Sequence, residues 1–330
     1  MIGRREFITL LGGAAAWPVA ALAQQPTTRI IGWLSLRSAD TSTEKSNLAA
    51  FRQGLNQTGY VEGRNLTIEF RFADGNYDRL PALAADLVRR QVEVLMTSGG
   101  TNVARVAQAA TTTIPIIFAT ANDPVQDGIV NSINRPSGNS TGTFVLNTAL
   151  MPKRLELLRQ LVPAAVRIAA LVDPSNARET ETSLRDLGVA ARAMGLQIHV
   201  VNASTSREIN LAFATFVRER PDALFVAPGL FFVQQRVQLT HLASRHAIPA
   251  AYSVREYAEA GGLMSYGPNL AEQFYRAATY VDKILRGARP AELPVEQPTT
   301  FELVINLHTA RAIGLSLRRE LLLRADALLE

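Results

Sequence analysis

Short apolar runs alternate with amphipathic stretches along most of this chain, and the alternation constrains the fold more than any other feature. Apolar, β-branched runs such as residues 29–34 and 167–172 have the length and composition of buried strands. Stretches with apolar residues at helical spacing follow, as in 43–57 and 177–194. Because strands connected through helices pair in parallel, the pattern predicts an α/β fold with doubly wound parallel sheets.

The strand–helix series occurs twice, which predicts two lobes with a cleft between them. The predicted strands of the first series are 29–34, 65–72, 92–96, 114–118 and 140–145, and those of the second are 167–172, 197–201, 223–227 and 248–252. A strand at 261–267, a helix at 270–286 and a strand at 301–306 then suggest crossings back into the first lobe and out again. The expected N-terminal lobe is 24–147 with 253–290, and the C-terminal lobe is 148–252 with 291–330.

The first 23 residues have the pattern of an export signal. Arg4 and Arg5 precede an uncharged segment that ends in the small-residue site Ala21-Leu-Ala23. The arginine pair favours twin-arginine export, with the general secretory route as the alternative. The chain has no cysteine, so lipid anchoring through a cysteine and disulfides are excluded. We therefore expect a protein that is free in the periplasm.

Charge patterning argues against a nucleic-acid partner. The formal net charge is +5, but acidic and basic residues are interspersed and form no block of one sign. The bias toward arginine over lysine therefore does not mark a binding surface.

The turn Ser98-Gly99-Gly100-Thr101 is the main candidate for ligand contact. It follows the apolar run 92–96 and precedes a predicted helix, so it lies where open α/β sheets bind ligands. Backbone N–H groups at a helix N-terminus, together with hydroxyls, can hold a carboxylate. The alternative is that Ser98 or Thr101 only caps the helix.

Other candidates also lie at predicted strand ends. Together with the turn, the expected ligand-binding residues are Ser35, Asn122, Asp123, Asn176, Gly229, Tyr252 and Tyr266. Asp123 could accept hydrogen bonds from an ammonium group or cap a short helix at Pro124. Asn176 could bind ligand or serve as an ordinary turn residue. For Tyr252 and Tyr266, stacking on an apolar ligand group and core packing are equal alternatives.

No motif for catalysis or metal binding is present in the sequence. The four histidines are scattered, and neither a Gly-x-Ser-x-Gly motif nor a phosphate loop occurs. We predict no catalytic residue, no metal and no cofactor, and hence a protein that is not an enzyme.

Several segments resemble the ABC transporter substrate-binding proteins of the tryptophan/tyrosine type. They are Gly59-Tyr-Val-Glu-Gly-Arg-Asn65, Asp78-Arg-Leu-Pro-Ala-Leu-Ala84, Thr113–Phe118 with Asp123-Pro-Val125, Lys153–Leu158, Glu259–Gly267, Pro294–Thr299 and Phe301–Asn306. The resemblance implies a type 1 periplasmic-binding fold with three hinge segments and ligand in the cleft. It also implies import of a small solute of the aromatic amino-acid type, by a monomer whose partners are a membrane permease and a cytoplasmic ATPase.

Two other functions remain as alternatives. A sensory module for a membrane signalling protein would use the same fold, and the sequence does not separate it from transport. An exported α/β hydrolase would need a nucleophile with a base, and no such pair is recognisable.

Overall fold

The computed structural model describes residues 28–175, 177–297 and 300–330. The predicted export signal, residues 1–23, and Asn176 lie outside the described residues. Within them, no helix has the length and apolar character needed to cross a membrane.

The first part of the chain, up to residue 147, forms a five-stranded parallel sheet in the order β2-β1-β3-β4-β5. Its strands are β1 (Arg29–Ser35), β2 (Leu66–Phe72), β3 (Val94–Ser98), β4 (Ile116–Thr120) and β5 (Ser140–Phe144). Its helices are α1 (Ser42–Gln57), α2 (Leu80–Arg89) and α3 (Thr101–Ala110). Every residue of β3 and β4 is buried, as expected for central strands covered on both faces.

The second part, from residue 148 to 268, builds most of a seven-stranded sheet. Its strands are β6 (Arg167–Val172), β7 (Gln197–Asn202), β8 (Ala223–Val226), β9 (Ala250–Tyr252) and β10 (Met264–Pro268). Its helices are α4 (Met151–Leu161), α5 (Ala177–Ala193), α6 (Ser206–Glu219), α7 (Leu230–Gln234), α8 (Arg236–Arg245) and α9 (Arg255–Glu259).

The chain then returns to the first lobe and leaves it again. Helix α10 (Leu270–Leu285) packs on α1, where Gly54 allows the two backbones to approach closely. The last elements are β11 (Phe301–Asn306), α11 (Leu307–Ala312), α12 (Arg319–Leu322) and β12 (Ala327–Leu329). The full order of the second sheet is β12-β11-β10-β9-β8-β6-β7. The predicted α/β fold with two doubly wound lobes is confirmed.

The predicted lobe boundaries near residues 253 and 291 are wrong. Residues 253–268 belong to the second lobe, because Met264 and Ser265 of β10 pair in parallel with β9. Residues 291–297 still contact the first lobe, where Glu296 exchanges backbone hydrogen bonds of 3.0 Å with Gly142 and Phe144 of β5. The crossings therefore lie near 147–150, at 268–270 and after 297. In the second sheet β11 runs antiparallel to β10, which the sequence pattern did not predict.

Each sheet is covered on both faces by helices, so each lobe has its own core. In the first lobe, Trp33, Phe51 and Phe274 pack together between the sheet and the helices α1 and α10. In the second lobe, Leu155 and Phe225 lie in the core beneath α4, and Phe213 lies in the core beneath α6. The polar carboxyl ends of the two sheets face each other across the space between the lobes.

Candidate functional site: a cleft between the lobes

A cleft of about 830 Å³ lies between the carboxyl ends of the two sheets. Both lobes line it through loops that follow their strands. From the first lobe these residues include Arg37, Tyr77, Gly99, Gly100, Thr101, Asn102, Arg105, Thr120, Asn122, Asp127, Asn147 and Gln273. From the second lobe they include Asp173, Ser175, Ser204, Pro228, Gly229, Leu230, Phe231 and Gln234. The volume is that of a small-molecule site.

The turn between β3 and α3 lies in this cleft. Gly99 and Gly100 have φ angles of 109° and 100°, a backbone conformation that favours glycine. A Cβ on Gly99 would also approach the Cβ of Leu36 to 2.7 Å. Helix α3 starts with Gly100 as its N-cap, and no side chain accepts from its first turn. The N–H of Val103 donates to the oxygen of Gly100 at 3.2 Å, so the N–H groups of Thr101 and Asn102 are the ones available to an anion in the cleft.

Ser98 and Ser35 do not line the cleft, which corrects two of the predictions. Both are fully buried. Ser98 Oγ donates to Glu44 Oε2 at 3.2 Å and accepts from Arg37 Nη1 at 3.2 Å. Ser35 Oγ accepts from the backbone N–H of Arg37 at 3.1 Å. Both hydroxyls therefore support the loop that carries Arg37.

Arg37 is the more buried of the two arginines, Arg37 and Arg105, that line the cleft. Its side chain is 14% exposed, and Glu44 Oε2 lies 3.8 Å from its Nη1. Burial lowers the pKa of Arg37, and the carboxylates of Glu44 and Glu256 offset part of this shift. Glu44 is itself fully buried and also accepts from the indole N–H of Trp33 at 2.7 Å. The buried carboxylate of Glu44 thus holds the guanidinium of Arg37 on the side that faces the protein interior.

Thr101 and Asp127 form a pair at the mouth of the turn. Thr101 Oγ1 donates to Asp127 Oδ2 at 2.7 Å, so its proton is engaged within the protein. Arg105, one turn further along α3, donates to the backbone oxygen of Asp127. The contribution of Thr101 to ligand contact is therefore through its backbone N–H or its hydroxyl lone pairs.

Asn122 lines the cleft, but Asp123 does not. Asp123 Oδ1 accepts from the backbone N–H groups of Val125 and Gln126 at 2.8 and 3.2 Å. Of the two alternatives predicted for Asp123 this is the cap, although residues 124–128 form a turn and not a helix. The ligand-contact alternative is corrected, because Asp123 does not line the cleft. The acidic residues at the cleft are instead Asp127 and Asp173.

In the second lobe, Gly229 lines the cleft at the start of α7, opposite the turn of α3. Asp173 is held by Ser204 Oγ at 2.7 Å and by the N–H of Ser175 at 3.0 Å. It lies across the cleft from Tyr77, whose pKa is raised by burial and by this carboxylate. The predicted Asn176 lies outside the described residues.

The two predicted tyrosines lie in the core and not in the cleft. Tyr252 is fully buried and stacks on Tyr257, with ring centroids 4.6 Å apart. Tyr266 is half-buried and packs against the core beneath α4, with its ring 6.3 Å from that of Phe301. The strand pleat turns both side chains into the lobe, which is the core-packing alternative. The aromatic residues that line the cleft are Tyr77, Phe231 and the buried Phe274.

Several residues that line the cleft were not among those predicted from the sequence. Arg37 and Asn147 follow β1 and β5 by two and three residues, so the strand-end argument could have included them. Gln273 is on α10, whose return to the first lobe places it there, and no local signal identifies it. Among the described residues, no group of three or more histidine, aspartate or glutamate side chains could hold a metal ion.

Comparisons with known proteins agree with this architecture. The family model for ABC transporter substrate binding proteins matches residues 40–329. A tyrosine-binding protein of Clostridioides difficile (strain R20291) is 28% identical over 267 residues, which is 80% of this chain and 75% of that protein.

Two solved structures have the same fold. A conserved domain protein of Vibrio cholerae is 25% identical with a TM-score of 0.81, and the match covers 92% of this chain and all of that one. The ABC domain in complex with L-Trp from Streptococcus pneumonia is 23% identical with a TM-score of 0.78, and the match covers 91% of this chain and all of that one. Because the family model covers residues 40–329, the chain belongs to the family of ABC transporter substrate-binding proteins, which are binding proteins and not enzymes.

Proposed function

We propose that this protein binds a small ligand with a carboxylate group in the interlobe cleft, and that the ligand is an aromatic amino acid or a related acid. We further propose that the protein works in the periplasm and delivers this ligand to the permease of an ABC import system. The observation that carries the proposal is the uncapped N-terminus of α3, which opens into a cleft lined by both lobes.

The electrostatics of the cleft support a carboxylate at this place. The N-terminus of a helix carries a partial positive charge, and its free N–H groups favour an anion. The proposed contacts of the carboxylate are Gly99, Gly100 and Thr101. The other cleft residues near this turn are Arg37 and Asn122 in the same lobe and Gly229 in the second lobe. Tyr77 and Phe231 supply aromatic surface for an apolar side chain. The names of two relatives, which refer to tyrosine and L-Trp, support the same ligand class.

A thermal-shift screen tests the ligand class. The chain from Gln24 onward would be heated with L-tryptophan, L-tyrosine, their decarboxylated amines tryptamine and tyramine, sugars and nucleosides. A ligand at about 100 times its Kd stabilises the folded state by about 2.7 kcal/mol, which gives a clear rise in Tm. We expect a rise with the amino acids and none with the amines. A rise with sugars or nucleosides alone would contradict the proposal.

A matched pair of substitutions tests the position of the carboxylate. Asn102 is exposed at the second position of α3, so Asn102→Asp adds a negative charge beside the proposed anion without changing side-chain size. We expect this variant to bind the amino acid about 10-fold more weakly, while its own Tm stays equal or rises because an acidic residue suits a helix N-terminus. Asn134→Asp adds the same charge at an exposed site outside the cleft and should bind as the wild type does. Equal affinity in both variants would place the carboxylate elsewhere.

Uptake by cells tests the transport role. Cells of the source organism without this gene should lose high-affinity uptake of the labelled ligand, and the intact gene should restore it. Unchanged uptake, with altered expression of other genes on ligand addition, would favour the sensing alternative.

A further inference from the structure

Two buried amide side chains, Gln273 and Asn147, form part of the cleft wall beside the hinge. Gln273 is 3% exposed and Asn147 is 8% exposed, yet both line the cleft. A polar side chain in such a position is normally saturated with hydrogen bonds inside the protein. Each of these two has one end held by the protein and the other end directed at the cleft.

The orientation of the Gln273 amide is fixed by two backbone carbonyls. Its Nε2 donates to the oxygens of Thr120 and Thr143 at 3.1 and 3.3 Å, at the carboxyl ends of β4 and β5. Only the NH₂ end of the amide can donate, so its Oε1 points away from these carbonyls. No described residue donates to this oxygen. Gln273 therefore presents a hydrogen-bond acceptor to the cleft.

The orientation of the Asn147 amide is fixed by a buried arginine. Arg154 is fully buried, and its Nη2 donates to Asn147 Oδ1 at 2.8 Å. Its Nε donates to the backbone oxygen of Tyr266 at 2.9 Å, which holds the guanidinium between Asn147 and strand β10. Because Oδ1 is occupied, the NH₂ group of Asn147 is the end that remains, and within the described chain it donates to nothing. Asn147 therefore presents a donor.

The two amides belong to one local structure. The oxygen of Thr120 accepts both from Gln273 Nε2 and from the N–H of Val145, two residues before Asn147. Both side chains thus lie at the carboxyl ends of the adjacent strands β4 and β5, where Asn147 follows β5 and Gln273 reaches from α10. Strand β3, which ends in the turn to α3, lies on the other side of β4.

We propose that Asn147 and Gln273 are specificity-determining residues that bind the head group of an α-amino acid. Asn147 Nδ2 donates to a carboxylate oxygen, and Gln273 Oε1 accepts from the α-ammonium group. This inference rests on the proposed function and narrows it. A carboxylate alone would satisfy the N-terminus of α3, whereas the amide pair also requires a cationic donor next to that carboxylate. Arg154 acts as a positioning residue that keeps the Asn147 donor turned to the ligand.

Calorimetric titration with three matched probes tests the pair in the wild type. The probes are L-tryptophan, L-tryptophanamide and indole-3-propionate, or the corresponding tyrosine series. The amide lacks the carboxylate, and the propionate lacks the ammonium group. We expect both to bind about 10- to 100-fold more weakly than the amino acid, the range for a lost charge-assisted hydrogen bond. Equal binding of amino acid and propionate would overturn the role of Gln273.

Two substitutions assign these preferences to the residues. Asn147→Asp keeps an oxygen for Arg154 and replaces the donor by an acceptor. It should weaken the binding of L-tryptophan at least about 10-fold. The ratio of the affinity for L-tryptophan to that for L-tryptophanamide, here called the acid-to-amide ratio, should therefore fall. Its Tm should not fall, because Arg154 has no ion pair within the described chain and gains one. Gln273→Met should reduce the ratio of the affinity for L-tryptophan to that for indole-3-propionate, and it should leave the acid-to-amide ratio unchanged.

The outcomes separate the two proposals. Wild-type protein that binds none of the carboxylate probes would overturn the proposed function, and the amide pair with it. Wild-type protein that binds them, together with an Asn147→Asp variant that has an unchanged acid-to-amide ratio, would overturn the amide pair alone. Asn134→Asp serves as the charge-matched control.

Discussion

Replacement of Glu44 by glutamine removes a buried charge that connects β1, α1 and the β3–α3 turn. The carboxylate of Glu44 is fully buried and accepts from Trp33 Nε1 at 2.7 Å and from Ser98 Oγ at 3.2 Å. The guanidinium of Arg37 lies 3.8 Å away. Glutamine keeps an oxygen for the indole but turns an NH₂ group toward the other two partners. Hydrogen bonds to charged groups contribute about 1.5–3 kcal/mol each, so we expect a loss of about 3 kcal/mol in the free energy of unfolding.

Urea unfolding monitored by tryptophan fluorescence measures this loss directly. The sequence has two tryptophans, and Trp17 belongs to the predicted signal, so Trp33 is the only reporter in a chain that starts at Gln24. A loss of about 3 kcal/mol corresponds to a midpoint lower by roughly 1 M urea. Glu320→Gln removes a carboxylate from an exposed position and is the matched control. Equal midpoints for the two variants would refute the view that the Glu44 contacts stabilise the turn.

Two further predictions concern a buried hydroxyl and a surface ion cluster. Tyr252→Phe removes a buried hydroxyl with no partner among the described residues, so the urea midpoint should stay equal or rise, and ligand affinity should not change. Weaker ligand binding in this variant would show that the Tyr252 hydroxyl contributes to the site and would contradict the prediction. Hydrogen bonds from Arg71 lower the pKa of Asp86 from 3.8 to about 2. This carboxylate stabilises the folded state fully above pH 3.8, and the contribution is lost as the pH falls toward 2. Urea midpoints of wild type and Asp86→Asn should therefore differ near pH 5 and converge near pH 2, and a constant difference would contradict this.

Much of the fold follows from hydrophobic periodicity, because each predicted strand of both series is found in the structure. The errors concern which lobe a late segment joins. Strand β10 is five residues long and β9 is three, so neither carries enough pattern to show its neighbours. The pairing depends on the path of the chain through Gly261 and Gly262, where a Cβ on Gly262 would approach the oxygen of Tyr257 to 2.7 Å. Such close approaches involve tertiary contacts that a single sequence does not reveal.

The location of the site was predictable, but the directions of its side chains were not. The strand-end rule identified the β3–α3 turn, Asn122 and Gly229, which all line the cleft. It cannot show that Ser98 points to Glu44, a residue 54 positions earlier on α1. Nor can it show that Tyr252 stacks on Tyr257 inside the second lobe. These directions depend on partners from other elements, which appear only when the chain is folded.

The engagement of the hydroxyls changes the interpretation of the turn itself. A serine or threonine near a helix start normally caps the first N–H groups. Here the hydroxyl of Ser98 donates to Glu44, and that of Thr101 donates to Asp127, so neither caps α3. Neither of the two possible capping side chains therefore binds the first N–H groups of the helix, and these groups face the cleft. Ser98 and Thr101 therefore favour anion binding because their hydroxyls are engaged by Glu44 and Asp127 and do not cap the helix. A serine or threonine hydroxyl that capped the first N–H groups would compete with the ligand for them.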